Sequence, residues 1–108
     1  RSNEWIQNED GTQMHAYALM QIVQQINYMT DGAILQYQLR QRDYRDFLVK
    51  LIVDSEYEDW EFQEIADQIR DAFQERLGKE VQTEVVRVAN ILPDERSGKL
   101  ACFLSDVK

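Results

Sequence analysis

The sequence is poor in cysteine, proline, glycine and basic residues. Among 108 residues there are one Cys, one Pro and four Gly, which excludes collagen-like and disulfide-stapled proteins. Twelve Lys and Arg stand against twenty Asp and Glu, so the formal net charge is −8. Because so acidic a surface repels phosphate backbones and anionic lipid, we expect neither nucleic acid nor a membrane as a partner.

Long hydrophobic runs are also missing. The longest are interrupted by Lys50 or Gln36, far short of the roughly 20 residues that a membrane-spanning helix needs. No signal peptide is visible, and 44% hydrophobic with 30% charged residues is a globular composition. The length fits one domain. Since the sequence begins at Arg1 without an initiator Met, we expect the chain to be part of a longer protein. We expect this protein to be cytoplasmic.

Hydrophobic periodicity in the first third predicts a hairpin and a helix. Asp10-Gly11 separates two short segments between residues 4 and 14, and this dipeptide favours a tight turn because both residues tolerate positive φ. Over residues 16–26 the apolar positions recur at the spacing of one helical face, at Leu19, Ile22, Val23 and Ile26.

Two strands and a second helix are predicted next. Over residues 33–40 polar residues alternate with Ala33, Leu35, Tyr37 and Leu39, which is typical of a half-buried strand. The polar run 41–46 predicts a turn, and 47–53 predicts a buried strand antiparallel to the first. One apolar helix face then contains Phe62, Ile65, Ala66, Ile69, Ala72, Phe73 and Leu77.

The bounds of this second helix and the remaining strands complete the predicted fold. Ser55 and Glu58 have capping-box spacing, but Asp59 could equally be the N-cap, and Gly78 is a suitable C-terminal residue. Residues 81–88 predict a third strand after a right-handed crossover, and 100–104 a possible last short strand. We therefore predict an α+β domain with an N-terminal β-hairpin, a three-stranded core sheet and two packed helices.

Few residues carry a chemical signal by themselves. Ser97-Gly98-Lys99 is not a P-loop, because Pro93 occupies the expected glycine position and Leu100 follows the lysine. A solvated turn is the ordinary interpretation, although loops on rigid scaffolds often hold reactive groups.

Other candidates have ordinary structural explanations. His15, without a second His or a paired Cys, predicts no metal site and favours a helix-start or surface role. Cys102 is expected to pack as a small hydrophobic residue. A solvated helix face accounts best for the carboxylates Glu61, Glu64, Asp67, Asp71 and Glu75.

Three ordered blocks resemble the C-terminal domain of adenylate-forming acyl-CoA ligases, in the branch of phenylacetate–CoA ligase and coenzyme F390 synthetase-like proteins. Residues 1–11 are similar to the hinge motif and the hairpin loop after it. Residues 34–41 are similar to the Q-x-Q-L-x-Q strand of this branch. Residues 78–99 are similar to the stretch that ends in the I-P-x-x-x-x-G-K loop, so the resemblance spans nearly the whole chain.

The resemblance implies a function for these blocks. By motif position Lys99 is the catalytic lysine of carboxylate adenylation, Asn3 and Glu4 form the hinge, and Arg1 and Gly11 contribute to cofactor binding. It also implies ATP and coenzyme A as substrates, and an N-terminal ATP-binding domain as partner, with Mg²⁺ in that domain and no cofactor held by this chain alone. An aryl-acetate-like acid is the expected substrate, and a homodimer is possible.

A second hypothesis remains open at this point. A non-catalytic α+β regulatory module that binds a small molecule or a protein through a sheet edge or helix face would have the same composition. Phosphate-binding motifs in a preceding domain would favour the ligase, and their absence the module.

Overall fold

A computed structural model of the protein describes residues 4–93 and 101–107. The α+β class, the N-terminal hairpin and the two helices are confirmed. In chain order the elements are β1 (Trp5–Gln7), β2 (Gln13–His15), α1 (Tyr17–Met29), β3 (Ile34–Asp43), β4 (Asp46–Val53), α2 (Asp59–Leu77), β5 (Gln82–Arg87) and β6 (Phe103–Ser105).

The core sheet has four strands in the order β5-β4-β3-β6, so the expected three-stranded sheet is corrected. β3 and β4 are antiparallel, whereas β5 runs parallel to β4 and β6 runs parallel to β3. The fourth strand is only three residues long, and Phe103 is its one buried apolar residue. So short a segment gives too weak a periodic signal to be counted from sequence.

The predicted turn over residues 41–46 is wrong in extent. β3 continues to Asp43, and only Tyr44 and Arg45 lie between the strands. Polar residues fit this strand end because they are paired: the Arg42 guanidinium contacts Asp46 at 2.9 Å and Glu84 at 3.0 Å. The hydrogen bond to Asp46 is the main cause of the raised pKa of Arg42; burial opposes it, and the bond to Glu84 raises the pKa further.

A bulge at the start of β3 breaks the predicted alternation. Ile34 pairs with Val53 and Gln36 pairs with Ile52, which leaves Leu35 as the extra residue. Leu35 is therefore 62% exposed rather than buried.

One face of the sheet is covered by both helices. Phe47, Val49, Leu51 and Val53 of β4 are buried at alternate positions, as the sheet period requires. The ring of Phe73 in α2 meets Phe47 edge-on at 6.4 Å between centroids. On the α1 side Gln24 donates to the Tyr37 hydroxyl, and burial raises the pKa of Tyr37.

The second helix begins neither at Ser55 nor with Asp59 as N-cap. Glu58 is the N-cap, and its backbone N–H donates to Oε1 of Glu61 at 2.8 Å within a capping box. Gly78 ends the helix as predicted, with φ +115° and an N–H bond to the Gln74 carbonyl at 2.8 Å.

Candidate functional site

The predicted lysine motif lies next to a firmly held stretch of chain. Lys99 itself lies outside the described residues, as do Arg1 and Asn3, so their predicted roles stay predictions. Ile91, with 8% of its surface exposed, is buried before the motif, and the described chain resumes at Ala101, two residues after Lys99.

A buried glutamine fixes the backbone just after Lys99. Gln38 in β3 is 3% exposed, and its side-chain amide donates to the Ala101 carbonyl at 3.1 Å. The next residue is held as well, because the Leu39 backbone N–H donates to the Cys102 carbonyl at 2.7 Å. Since hydrogen bonds are directional, these contacts determine where the backbone following Lys99 lies relative to β3.

The bonds of β6 continue this attachment. Phe103 pairs with Leu39, and the Asp106 N–H donates to the Gln41 carbonyl at 2.8 Å. The Arg40 guanidinium binds Asp106 through two bonds of 2.9 and 2.8 Å. Because this pair is exposed, it contributes at most about 1 kcal/mol. The backbone and Gln38 contacts therefore do most to hold the segment.

A second buried glutamine attaches the N-terminal hairpin to the sheet. The Gln41 side chain has no exposed surface; it accepts from the Gln7 N–H at 3.1 Å and donates to the Gln7 carbonyl at 2.9 Å. It thus reproduces the two bonds of a neighbouring strand. The residues of the Q-x-Q-L-x-Q motif therefore include two polar attachment points, one for each terminal segment.

The start of the hairpin is attached to the start of α1. The Glu4 carbonyl accepts from the Ala16 N–H at 2.8 Å, and Glu4 Oε1 lies 3.8 Å from His15 Nε2. His15 Nδ1 accepts from the Tyr17 N–H at 3.0 Å, which confirms the helix-start role. Of the two predicted hinge residues, the described one, Glu4, is therefore bonded to the domain through its carbonyl.

The hairpin turn gives Gly11 a conformational role. Gly11 has φ +89°, and its N–H donates to the Asn8 carbonyl at 3.0 Å. Asp10 accepts from the hydroxyl and the backbone N–H of Thr12, and these two bonds lower the pKa of Asp10. The cofactor-binding role of Gly11 stays a prediction.

A shallow cavity of about 290 Å³ lies between the hairpin and the β3–β4 turn. Arg45 forms a 2.6 Å ion pair with Glu9 there, and Asp10 and Glu80 also line the cavity. Three carboxylates against one guanidinium make this cavity unfavourable for a nucleotide or another anion.

The structural explanations predicted for the α2 carboxylates and for Cys102 have opposite outcomes. Of the five α2 carboxylates, Glu64, Asp67, Asp71 and Glu75 are exposed, which confirms the solvated face for these four, with Asp67 paired to Arg70. Glu61 is half-buried and accepts the Glu58 N–H bond at the helix start. Cys102 is exposed, so its expected burial is wrong. The reason is its position: its carbonyl bonds to β3, while the buried apolar residue of this strand is Phe103.

Residues 4–93 and 101–107 contain no group of three or more His, Cys, Asp or Glu that could hold a metal ion. None of the helices formed by these residues has the length and hydropathy needed to cross a bilayer.

Comparison with known proteins assigns the chain to a family. Residues 6–106 match the CapK C-terminal domain family, and the chain belongs to this family. No curated protein matches the chain.

Proposed function

We propose that this chain is the mobile C-terminal domain of an ATP-dependent, AMP-forming acyl-CoA ligase of the phenylacetate–CoA ligase type. Membership in a family of C-terminal domains supports a role as one part of a larger protein. The three sequence blocks support the ligase assignment. In this proposal the partner is the adenylation domain of the same polypeptide, which binds ATP, Mg²⁺ and an aryl-acetate-like acid.

The attachment of the segment after Lys99 is the observation that carries the proposal. A lysine that must enter another domain's active site needs an attachment to its own domain that stays fixed while this domain rotates. Gln38 and the Leu39 backbone provide such an attachment at Ala101 and Cys102. Loops held on a rigid scaffold are common positions for catalytic groups.

Lys99 would act on charge that develops during adenylation. A carboxylate oxygen attacks the α-phosphorus, a new P–O bond forms, and the bond to the departing pyrophosphate breaks. Negative charge spreads over these oxygens, and an ammonium placed beside them stabilises the transition state more than the ground state. A lysine suits this position because its charge is compact and its stem is long.

Rotation about the hinge would then present another face for thioester formation with coenzyme A. The bond from the Ala16 N–H to the Glu4 carbonyl supports a pivot at Asn3 or at the φ angle of Glu4, because beyond this carbonyl the chain belongs to the domain.

The two half-reactions, measured separately in the full-length ligase, test this proposal. We expect Lys99→Ala to slow pyrophosphate release about 100- to 1,000-fold, the range observed when one preorganised donor is removed. Conversion of a supplied acyl-adenylate to the thioester should be nearly unchanged. Lys79→Ala, which removes an exposed lysine at the end of α2, is the matched control.

Equal loss in both half-reactions, or loss in neither, would contradict a lysine specific to adenylation. A ligase unaffected by Lys99→Ala would favour the alternative of a non-catalytic regulatory module.

A further inference from the structure

Helix α1 is uncharged in a chain that is rich in charge. Its sequence, YALMQIVQQINYM, contains no Asp, Glu, Lys or Arg, whereas 30% of the whole chain is charged. The helix is not buried, because about half of its residues are exposed to solvent. The exposed residues are Tyr17, Gln21, Gln24, Gln25, Tyr28 and Met29. Depletion of charge with enrichment of Tyr and Met is the composition of an interface core.

A broad groove of about 870 Å³ continues this surface toward α2. From α2 the groove is lined by Gln68, Ala72 and Arg76, which follow one another at four-residue spacing on one side of the helix. The acidic residues Asp67 and Asp71 lie on α2 as well but do not line the groove. Among the described residues that line this groove, the one charged residue, Arg76, is therefore positive, although the chain as a whole is strongly negative.

Arg76 lines the groove, and a residue of opposite charge, Asp31, lies two residues beyond Met29, the last groove residue of α1. Asp31 follows the end of α1, with φ +58° and an exposed side chain. Tyr57, just before α2, donates to the Thr30 carbonyl at 2.9 Å, so α2 begins beside the end of α1. Arg76, in the last turn of α2, accordingly lies toward the other end of the groove. Among the described residues, neither Asp31 nor Arg76 has an ion-pair partner.

We propose that α1 and this groove form an interface between two copies of this chain related by a two-fold axis. In such an arrangement the two α1 helices lie antiparallel, and Arg76 of each copy faces Asp31 and Tyr28 of the other. A two-fold interface repeats each contact, so one uncharged helix with opposite charges at its ends is self-complementary. Elsewhere two copies with a net charge of −8 repel each other, and this surface is where they meet at least cost.

The interface is expected to be weak. A 13-residue helix is about 20 Å long, which places the contact at the small end of specific interfaces. Tyr28, 81% exposed, and Met29, 61% exposed, are the most exposed large apolar residues of α1, and Arg76 stacking on a Tyr28 ring would add a cation–π contact. We therefore expect dissociation constants on the order of 10–100 μM.

Sedimentation of the 108-residue chain over a range of concentrations tests this inference. The wild-type chain should shift from 12.8 kDa toward twice that mass. Arg76→Glu should raise the dissociation constant at least about tenfold, since it places two acids opposite each other. Lys79→Glu makes the same change in net charge outside the groove and is the matched control. The double variant Arg76→Glu with Asp31→Arg should restore the association that Arg76→Glu alone or Asp31→Arg alone weakens.

Three results would overturn the interface. One is a wild-type chain that remains monomeric up to about 1 mM, an outcome that would leave the face to a different partner such as an adjoining domain. Another is equal weakening by Lys79→Glu and Arg76→Glu, because a general charge effect would then explain both. The third is undiminished association of Gln25→Glu, a change at an exposed position in the middle of α1. Far-ultraviolet circular dichroism of every variant verifies that its fold is intact.

Discussion

Helix α2 and the two terminal segments are attached to the same sheet by different means. Helix α2 is held by apolar contact, with Phe62, Ile65, Ala66, Ile69 and Phe73 buried. The hairpin and the C-terminal segment bury Ile6 and Phe103 and are also bonded through the side-chain amides of Gln41 and Gln38 to backbone groups of Gln7 and Ala101. Burial of apolar side chains supplies most of the free energy of folding but does little to fix the orientation of the attached element. The amide bonds supply less free energy and fix position.

This difference coincides with the division of labour that we propose. The apolar half consists of α2 with β4 and β5. The segment that follows the proposed hinge and the segment that follows Lys99 are the ones bonded to the buried glutamines. A domain that swings between two orientations needs such fixed positions where it meets its partner, because a misplacement of about 1 Å can slow a reaction 100-fold.

The largest expected effect comes from breaking the apolar attachment. Phe73→Ala removes a ring with no exposed surface from its contact with Phe47. We expect the free energy of unfolding to fall by about 3–5 kcal/mol, measured by urea denaturation. Leu35→Ala is the control, because this exposed bulge residue should change the free energy of unfolding by less than about 0.5 kcal/mol. Similar losses in both variants would contradict a core centred on α2.

Breaking the polar attachment of the hairpin should lower the free energy of unfolding by less than Phe73→Ala does, and it should affect only the residues near Gln41. Gln41→Leu leaves the N–H and the carbonyl of Gln7 without their partner, which should lower the free energy of unfolding by about 1–3 kcal/mol. Hydrogen exchange should accelerate at Gln7 and leave the Val49 amide almost as protected as before.

Gln36→Leu controls for loss of an amide from the same strand. None of the described residues forms a hydrogen bond with the Gln36 side chain, so exchange at Gln7 should be unchanged. Uniform acceleration across the sheet in Gln41→Leu would show that Gln41 is part of the global core and not a local attachment.

Much of the apolar half could be predicted from the sequence. The stripe from Phe62 to Leu77 and the apolar run 47–53 are strong signals, and the structure has a helix and a strand there, although burial in β4 alternates between buried and half-buried residues. The end of α2 at Gly78 follows from local chain chemistry. In these elements local preference and burial favour the same structure, so a single sequence is enough.

The polar half could not be predicted in the same way. From the sequence, Gln38 is an outward-facing residue of a half-buried strand and Gln41 is part of a turn, and their burial depends on backbone groups that lie 63 and 34 residues away in the chain. The Leu35 bulge and the pairing of β6 are likewise products of tertiary contact. The one available signal was the recurrence of glutamine in β3, where a solvent-facing position would accept any polar residue.

A smaller effect is expected at the start of α2, where a polar contact lies within the apolar half. Glu61→Ala removes the acceptor of the Glu58 N–H and should lower the free energy of unfolding by about 0.5–1 kcal/mol. Glu61→Gln keeps an acceptor oxygen and should retain most of the stability in the same denaturation experiment. A loss as large as that of Phe73→Ala would contradict the ranking of apolar over polar contributions in this half.

The smallest effect should depend on pH and lie in the hairpin turn. The hydroxyl and N–H of Thr12 lower the pKa of Asp10 below its ordinary 3.8, so the ionised carboxylate stabilises the fold above that value. This stabilisation should be lost as the pH falls through the depressed pKa. Thermal melts of Asp10→Ala and wild type should differ slightly at pH 7 and converge in acid. A difference between the two melts that increased in acid would contradict a stabilising role of the ionised Asp10 carboxylate.

The central claim of our proposal, that Gln38 positions the segment carrying Lys99, is tested most directly by a double-mutant cycle in the full-length ligase that we propose. Pyrophosphate release is measured for wild type, Gln38→Leu, Lys99→Ala and the double variant. We predict that Gln38→Leu alone slows this step about 10- to 100-fold and leaves thioester formation from supplied acyl-adenylate unchanged. In the Lys99→Ala background, adding Gln38→Leu should leave the rate of pyrophosphate release almost unchanged. Fully additive losses would contradict the account, because Gln38 would then act on something other than Lys99.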